Sequence, residues 1–254
     1  MANKHYDIDY LQNSRRLLLN LKEHSYTFFQ NINSGTIIDL GCGAGNDVIE
    51  LAKITGEDTK IIGIDHDSEM LQKAKEQSEG IGNVDFILSE AYPLPFEDET
   101  ISGLRTERVI QHLFNPEQVI GEVSRILKKD SPLVIIETDW SSLSFYTEFV
   151  DVQKKVNAYY TDVKINNGFA AAKLISYLQQ NNFRNIKFEI HPFVTDSLKT
   201  ANDLFKIEQM ITEAAEKGYI RKQESGAFSG ALQKADDGHY FACSVNLVIA
   251  SCIK

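Results

Sequence analysis

The segment IIDLGCGAGND, residues 37–47, places Gly41, Gly43 and Gly45 on alternate positions directly after an apolar run. A glycine-rich turn between a strand and a helix lets the backbone approach a ligand closely. Three ligand chemistries compete for it. A nicotinamide dinucleotide calls for G-x-G-x-x-G, whose last glycine allows helix and strand to pack. Gly41 and Gly43 fit that spacing, but Asn46 stands at the third position and the third glycine comes one residue early. A phosphate-binding P-loop needs a Gly-Lys-Ser/Thr continuation, and none follows. What remains is Asp39, a G-C-G-A-G turn and a helix beginning near Asp47. A second acidic residue, Asp65, closes the apolar run 61–64. Ligands of open α/β sheets gather at the carboxyl ends of the strands. A carboxylate there can accept from both ribose hydroxyls and disfavours a 2′-phosphate. The pattern points to an adenosine with free hydroxyls and little need of phosphate contacts.

These residues need a scaffold that brings strand ends together. Residues 11–30 carry Leu11, Leu18, Leu19, Leu21, Phe28 and Phe29 among polar residues and read as amphipathic helix, an N-terminal cap over 1–30. Strand-length apolar runs follow at 36–40, 60–64, 84–88, 101–104 and 133–137, with helix-like stretches between them. The clearest helix is NPEQVIGEVSRILKKD, with Asn115 as cap, Pro116 at the first position and Val119, Ile120, Val123, Ile126 and Leu127 on one face. Strands alternating with helices imply βαβ units and a parallel sheet. Beyond Trp140 the alternation loosens. A helix is expected over 170–180, a strand over 186–194, a helical insertion over 197–235 and a last strand over 240–253. The expectation is a single α/β domain over 1–254: a doubly wound, mostly parallel seven-stranded sheet with an antiparallel last strand, plus helical cap elements. Residues 141–167 and 197–235 are the expected substrate-pocket insertions.

Composition narrows the partners. Twenty-six basic against thirty-six acidic residues give a net charge of −10, with no local Lys/Arg-rich run, so no nucleic-acid partner is expected. Three cysteines, Cys42, Cys243 and Cys252, lack C-x-x-C spacing and read as free thiols of a reducing compartment. The stretch MANKHYDIDY lacks the apolar region of a signal peptide, and no run reaches membrane-spanning length. The expectation is a cytoplasmic protein without membrane insertion, and nothing in the sequence signals an oligomeric state.

In this order, IIDLGCGAGND, IIGIDHDSEML, SEAYPLPFEDETI and ILKKDSPLVIIE resemble the successive motifs of class I S-adenosylmethionine-dependent methyltransferases. The similarity is closer to the small-molecule branch that includes ubiquinone/menaquinone-biosynthesis-type enzymes, and it covers residues 35–140 or so. The resemblance implies S-adenosylmethionine as cofactor. It also implies that the backbone at Gly41, Cys42 and Gly43 approaches the methionine moiety, with Asp39 supporting the turn and the ligand's ammonium group. By the same resemblance Asp65 takes the ribose hydroxyls, His66 lies against the adenine, and Thr106 offers backbone near the methionine end. The family's Asp-Ala after the third strand is Glu90-Ala91 here, which keeps the carboxylate with one more methylene. The resemblance also implies that Arg15 or Arg16 closes over the ligand's carboxylate.

Methyl transfer from a sulfonium is an in-line displacement, so the protein need only align the reactants and exclude water. A base helps an oxygen or carbon acid and is dispensable for an amine. His112, in RTERVIQHLFNP, follows the fourth strand and is the candidate catalytic base. No convincing metal-ligand set is present. Aromatic residues crowd the expected covering segments: Tyr6, Tyr10, Trp140, Phe145 and Tyr146 are the candidate walls of an apolar chamber. The reading is transfer to a small-molecule acceptor, aromatic or quinone-like, with O-, N- and C-attack open. The alternatives are a protein methyltransferase, and a cofactor-binding partner subunit without transfer activity.

Overall fold

The apolar runs become strands because a parallel sheet flanked by helices is buried on both faces. The computed structural model describes residues 18–254. In it β1 spans Ser34–Leu40, β2 Asp58–Asp65, β3 Val84–Leu88 and β4 Gly103–Glu107; β5 Pro132–Phe145, β6 Arg184–Thr195 and β7 Cys243–Ile253 follow. They form one seven-stranded sheet in the order β3-β2-β1-β4-β5-β7-β6. β1 pairs in parallel with β2 and β4, as do β2 with β3 and β4 with β5. The last strands run antiparallel, as the sequence leads one to expect. Strand order reverses between β1 and β4, and open α/β sheets form their ligand crevice at such a switch point.

Two expected strands differ in extent. Residues 101–104 read as a strand, whereas β4 runs from Gly103 to Glu107; Ile101 makes only an isolated bridge to Leu127. Residues 133–137 read as a strand, whereas β5 continues to Phe145. Polar residues carry the first extension and interrupt the second, so continuous apolar patterning ends before the strands do.

The helices are α1 (Leu19–Tyr26), α2 (Asn46–Ile54), α3 (Ser68–Gln77), α4 (Pro116–Ile126), α5 (Val150–Tyr159), α6 (Ala170–Gln180), α7 (Leu198–Phe205), α8 (Ile207–Glu216) and α9 (Lys222–Asp237). α4 starts as the sequence indicates: Pro116 occupies its first turn, and Asn115 Oδ1 accepts from the Gln118 N–H at 3.4 Å. α3 has a better cap, because Asp67 Oδ1 accepts from the N–H groups of Glu69 (2.9 Å) and Met70 (3.2 Å). Asp67→Ala is expected to cost about 1 kcal/mol, the usual value of a helix cap; urea denaturation checks it, and an unchanged midpoint would show that the cap contributes nothing. The stretch 197–235 is helical, made of α7, α8 and most of α9. Among the described residues no helix is long and apolar enough to cross a membrane.

The chain divides into two compact units. One comprises 18–137, 173–189 and 249–254 of the described residues. Its core is built on fully buried strand residues such as Ile37, Ile38, Ile61, Ile64, Leu104 and Leu133, each contributing about 1.5–3 kcal/mol through burial. The other comprises 138–172 and 190–248. It has its own apolar cluster, including Val156, Leu204, Ile211, Phe228 and Val245.

Candidate cofactor site

The β1–β2 register pairs Leu40 with Ile64, so the two chains leave the sheet side by side. The glycine turn is then tied to β2: the N–H groups of Gly41 and Cys42 both donate to the Ile64 carbonyl, at 2.7 and 3.0 Å. Two positions need glycine. Gly41 has φ +76°, and a Cβ there would lie 2.2 Å from Val109 Cγ2. Gly45, the residue capping α2, has φ +77°, and a Cβ would press on Ala74 and Phe86 within 3 Å. Gly45 thus does for helix–strand packing what the third glycine of a dinucleotide fingerprint does, one residue earlier.

Asp65 locks this turn. Its Oδ2 accepts from the Gly43 N–H at 2.8 Å and its Oδ1 from the Asp67 N–H at 3.0 Å. Each oxygen retains a second lone pair, which fits the expected contact with a ribose diol. His66, largely exposed, sets Nδ1 3.3 Å from Asp65 Oδ1. The Ser89 N–H donates to the Asp65 carbonyl at 3.0 Å, which brings the chain after β3 to the same rim. Glu90, exposed, and Ala91, half-buried, follow directly. Cys42 is buried in the turn, and burial together with the charges of Asp39 and Asp65 pushes its thiol well above its ordinary value. A small packed residue rather than a nucleophile occupies that position. Thr106 is buried, and its hydroxyl donates to the Leu40 carbonyl at 2.9 Å, which leaves its backbone at the strand end.

Beneath the turn lies a charged cluster that the sequence did not reveal. Arg105, fully buried on β4, pairs in register with Asp39 on β1. Its guanidinium reaches Asp39 Oδ1 (3.2 Å), Asp47 Oδ2 (3.4 Å), Glu107 Oε2 (2.5 Å) and Ser25 Oγ (3.0 Å). Lys22 on α1 adds bonds to Asp47 Oδ2 (2.8 Å) and Glu107 Oε2 (2.6 Å), and the Tyr26 hydroxyl donates to Asp47 Oδ1. Burial drives the Asp39 carboxyl above the usual range, with Arg105 opposing. Asp47 and Glu107 end below it, because Arg105 and Lys22 outweigh the burial penalty. The cluster fixes the end of β1, the start of α2 and the end of β4 against one another, and these are the elements that carry the turn.

His112 is half-buried at the end of the 3₁₀ turn Ile110–His112, just beyond β4. Gln111 Nε2 lies 3.0 Å from His112 Nε2. An amide nitrogen only donates, so that imidazole nitrogen accepts. For His112 to take a proton there, Gln111 must release it. Trp140 and Phe145 belong to the other unit and are interior: Trp140 meets Tyr160 and Phe205 edge-on, with centroids 4.7 and 5.9 Å apart, and Phe145 meets Phe228 at 5.8 Å. Tyr146 is 68% exposed. Tyr6, Tyr10, Arg15 and Arg16 lie outside the described residues.

Strand order, glycine turn and the acidic end of β2 are arranged as in the Rossmann-like methyltransferase fold. The chain belongs to the methyltransferase-domain family, whose model matches residues 32–186. Demethylmenaquinone methyltransferase of Lactococcus lactis is 30% identical over 122 residues, 47% of this chain and 48% of that protein. The chain spans less than half the length of the curated relatives it matches. Two solved structures share the fold at low identity. Phosphoethanolamine N-methyltransferase 2 of Haemonchus contortus, solved with phosphomonomethylethanolamine and S-adenosylhomocysteine, has a TM-score of 0.61 and 15% identity, covering 95% of this chain and 56% of that one. Geranyl diphosphate C-methyltransferase of Streptomyces coelicolor has a TM-score of 0.58 and 13% identity, covering 99% and 86%.

Proposed function

We propose that this chain transfers the methyl group of S-adenosylmethionine to an apolar small-molecule acceptor, aromatic or quinone-like. The observation that carries the cofactor half is the Asp65 lock: one carboxylate holds the glycine turn and keeps lone pairs for a diol. S-adenosylmethionine supplies an electrophilic methyl group. Gly41 to Gly43 would bind the methionine end, Asp65 the ribose, and His66 with Glu90 and Ala91 the adenine. Asp39, paired with Arg105, would steady the turn from below. His112, once released by Gln111, would take the acceptor's proton. Support for the acceptor class comes from the demethylmenaquinone methyltransferase relative.

Calorimetry with S-adenosylhomocysteine tests the cofactor half. Asp65→Ala removes two charge-assisted hydrogen bonds inside the turn as well as the ligand's acceptor, so affinity is expected to fall about 100-fold. Absence of binding to the wild type, or unchanged affinity in the variant, would reject this reading. A methyl-donor turnover screen over metabolite extracts, read by mass shift, tests the acceptor half. Binding without any turnover would favour a non-catalytic cofactor-binding subunit.

A further inference from the structure

Four largely buried carboxylates lie near the carboxyl ends of β1 and β4, midway along β5 and at the start of α2. Three of them have cations. Asp39 and Asp47 face Arg105, and Glu107 takes Lys22, Arg105 and, at 3.6 Å, Arg108. Glu137, on β5, differs. Its side chain is fully buried, its Oε1 accepts from the N–H groups of Ile110 (2.6 Å) and Gln111 (3.4 Å), and its Oε2 meets no hydrogen-bond partner among the described residues. The chain path explains the first contacts. Arg108 has φ +55°, in the left-handed region, and its N–H donates to the Ile136 carbonyl at 2.8 Å. The chain therefore turns back over β5 as it leaves β4, and the opening amides of the Ile110–His112 turn face Glu137. Amides at the start of a helical turn lack intrahelical acceptors, and Glu137 Oε1 supplies one. His112 closes the same turn, with its N–H on the Val109 carbonyl at 2.8 Å.

We propose that Glu137 is a positioning residue for the methyl-transfer site: it pins the Ile110–His112 turn against β5, and its protonation state sets how that turn is held. The identity of the site rests on the function proposed above; the proton-dependent turn does not.

The physical argument begins with the unpartnered oxygen. A buried carboxylate without a donor on one oxygen is costly, and such a group keeps its proton. Burial pushes the Glu137 carboxyl up to about 8; the Ile110 and Gln111 amides and Arg108 oppose the rise, and Glu107 adds to it. Arg108, directly after β4, and Glu107, at its end, are the charged groups that act on it most strongly. An unfolded glutamate titrates near ~4.3, so the folded state holds this proton more tightly. Glu137 therefore costs no stability in acid, and its cost grows as pH rises from the unfolded value through about 8. Once ionised it accepts more strongly from the Ile110 and Gln111 amides, repels Glu107 and attracts the Arg108 guanidinium. All three effects fall on the segment between β4 and His112.

The experiment follows the Ile110 backbone amide by NMR from pH 6 to 9.5, with S-adenosylhomocysteine affinity measured by calorimetry over the same range. Glu137→Gln is the comparison, because it keeps an acceptor for Ile110 and cannot ionise. The Ile110 resonance should titrate with a midpoint near 8 in the wild type and stay flat in the variant. With rising pH the affinity of the wild type should depart from that of the variant by at least threefold; the ligand's own amine titrates equally in both. An Ile110 amide that does not titrate in the wild type, or that titrates alike in both proteins, overturns the proposal. A titrating amide with identical affinity profiles overturns the positioning role. If the wild type binds no S-adenosylhomocysteine at any pH while the amide titrates, the cofactor reading fails and the proton-dependent turn stands. Should the variant fail to fold, an Ile110 amide that does not titrate in the wild type still overturns the proposal.

Discussion

Arg105→Met is expected to lose about 3–5 kcal/mol of folding stability at pH 7, the usual consequence of removing one partner from a buried charge cluster. Three carboxylates, Asp39, Asp47 and Glu107, would then face only Lys22, Tyr26 and Arg108 in a space largely shielded from water. The pH dependence separates this cause from lost packing. In the wild type Asp47 and Glu107 are held below the ordinary carboxylate range. Their contribution is present above the unfolded value, near ~4, and is lost only in stronger acid. In the variant these carboxyls would titrate above the unfolded value, so the penalty grows from about pH 4 upwards and shrinks as acid restores their protons. Urea denaturation at pH 7.5 and pH 5 should show the gap between the two proteins narrowing at the lower pH. A gap of equal size at both pH values would mean that Arg105 acts by volume alone. Arg105→Lys should recover little, because one ammonium cannot reproduce a planar fork reaching three carboxylates and Ser25.

The same residue shows where sequence reading stops. Asp39, the glycine turn and Asp65 are legible because their chemistry is local: strand, turn and acidic strand end follow in order, and the parallel register brings Leu40 beside Ile64. Arg105, Thr106 and Glu107 look like the end of a strand in a pattern that counts apolar residues. They are the last residues of β4 itself, shielded because partners from α1, β1 and α2 satisfy them. Residues 138–145 behave alike: Ser142 continues β5 by donating to the Asp139 carbonyl at 2.6 Å and accepting from the Asn246 N–H at 2.8 Å. The second bond spans a hundred residues of chain, and no window of sequence contains it. Glu137 is hidden for a third reason. A lone acid after LVII resembles a solvated strand end, and only the return of the chain at Arg108 buries it. The one local signal was a run of charged residues directly after a strong apolar strand, RTER, which favours buried pairing over a surface loop only once a facing carboxylate such as Asp39 is known.

Trp140→Ala is expected to cost about 3–5 kcal/mol, the range for deleting a large buried aromatic side chain, and the cost belongs to the unit built from 138–172 and 190–248. The indole is interior, and its edge-on contacts with Tyr160 and Phe205 join β5 to the π-turn Tyr160–Lys164 and to α7. Aromatic pairs of this geometry contribute about 0.5–1.5 kcal/mol beyond simple burial. Trp140→Phe should therefore cost less than half as much as Trp140→Ala, since a ring remains between Tyr160 and Phe205. Trp140 is the only tryptophan in the chain, so unfolding of the variants must be followed by circular dichroism rather than indole fluorescence. A loss under about 1 kcal/mol would show that the indole is not part of this core. The measurement also bears on the expected role of Trp140 as a chamber wall. A residue serving only the core should change stability without changing the ratio of acceptor to S-adenosylhomocysteine affinity in the folded fraction. A residue that also meets the acceptor should weaken acceptor binding selectively in Trp140→Phe, where the fold is largely retained. Since the cofactor turn and its Arg105 cluster belong wholly to the other unit, S-adenosylhomocysteine affinity is expected to stay within about twofold of wild type in both variants, a difference of less than ~0.5 kcal/mol.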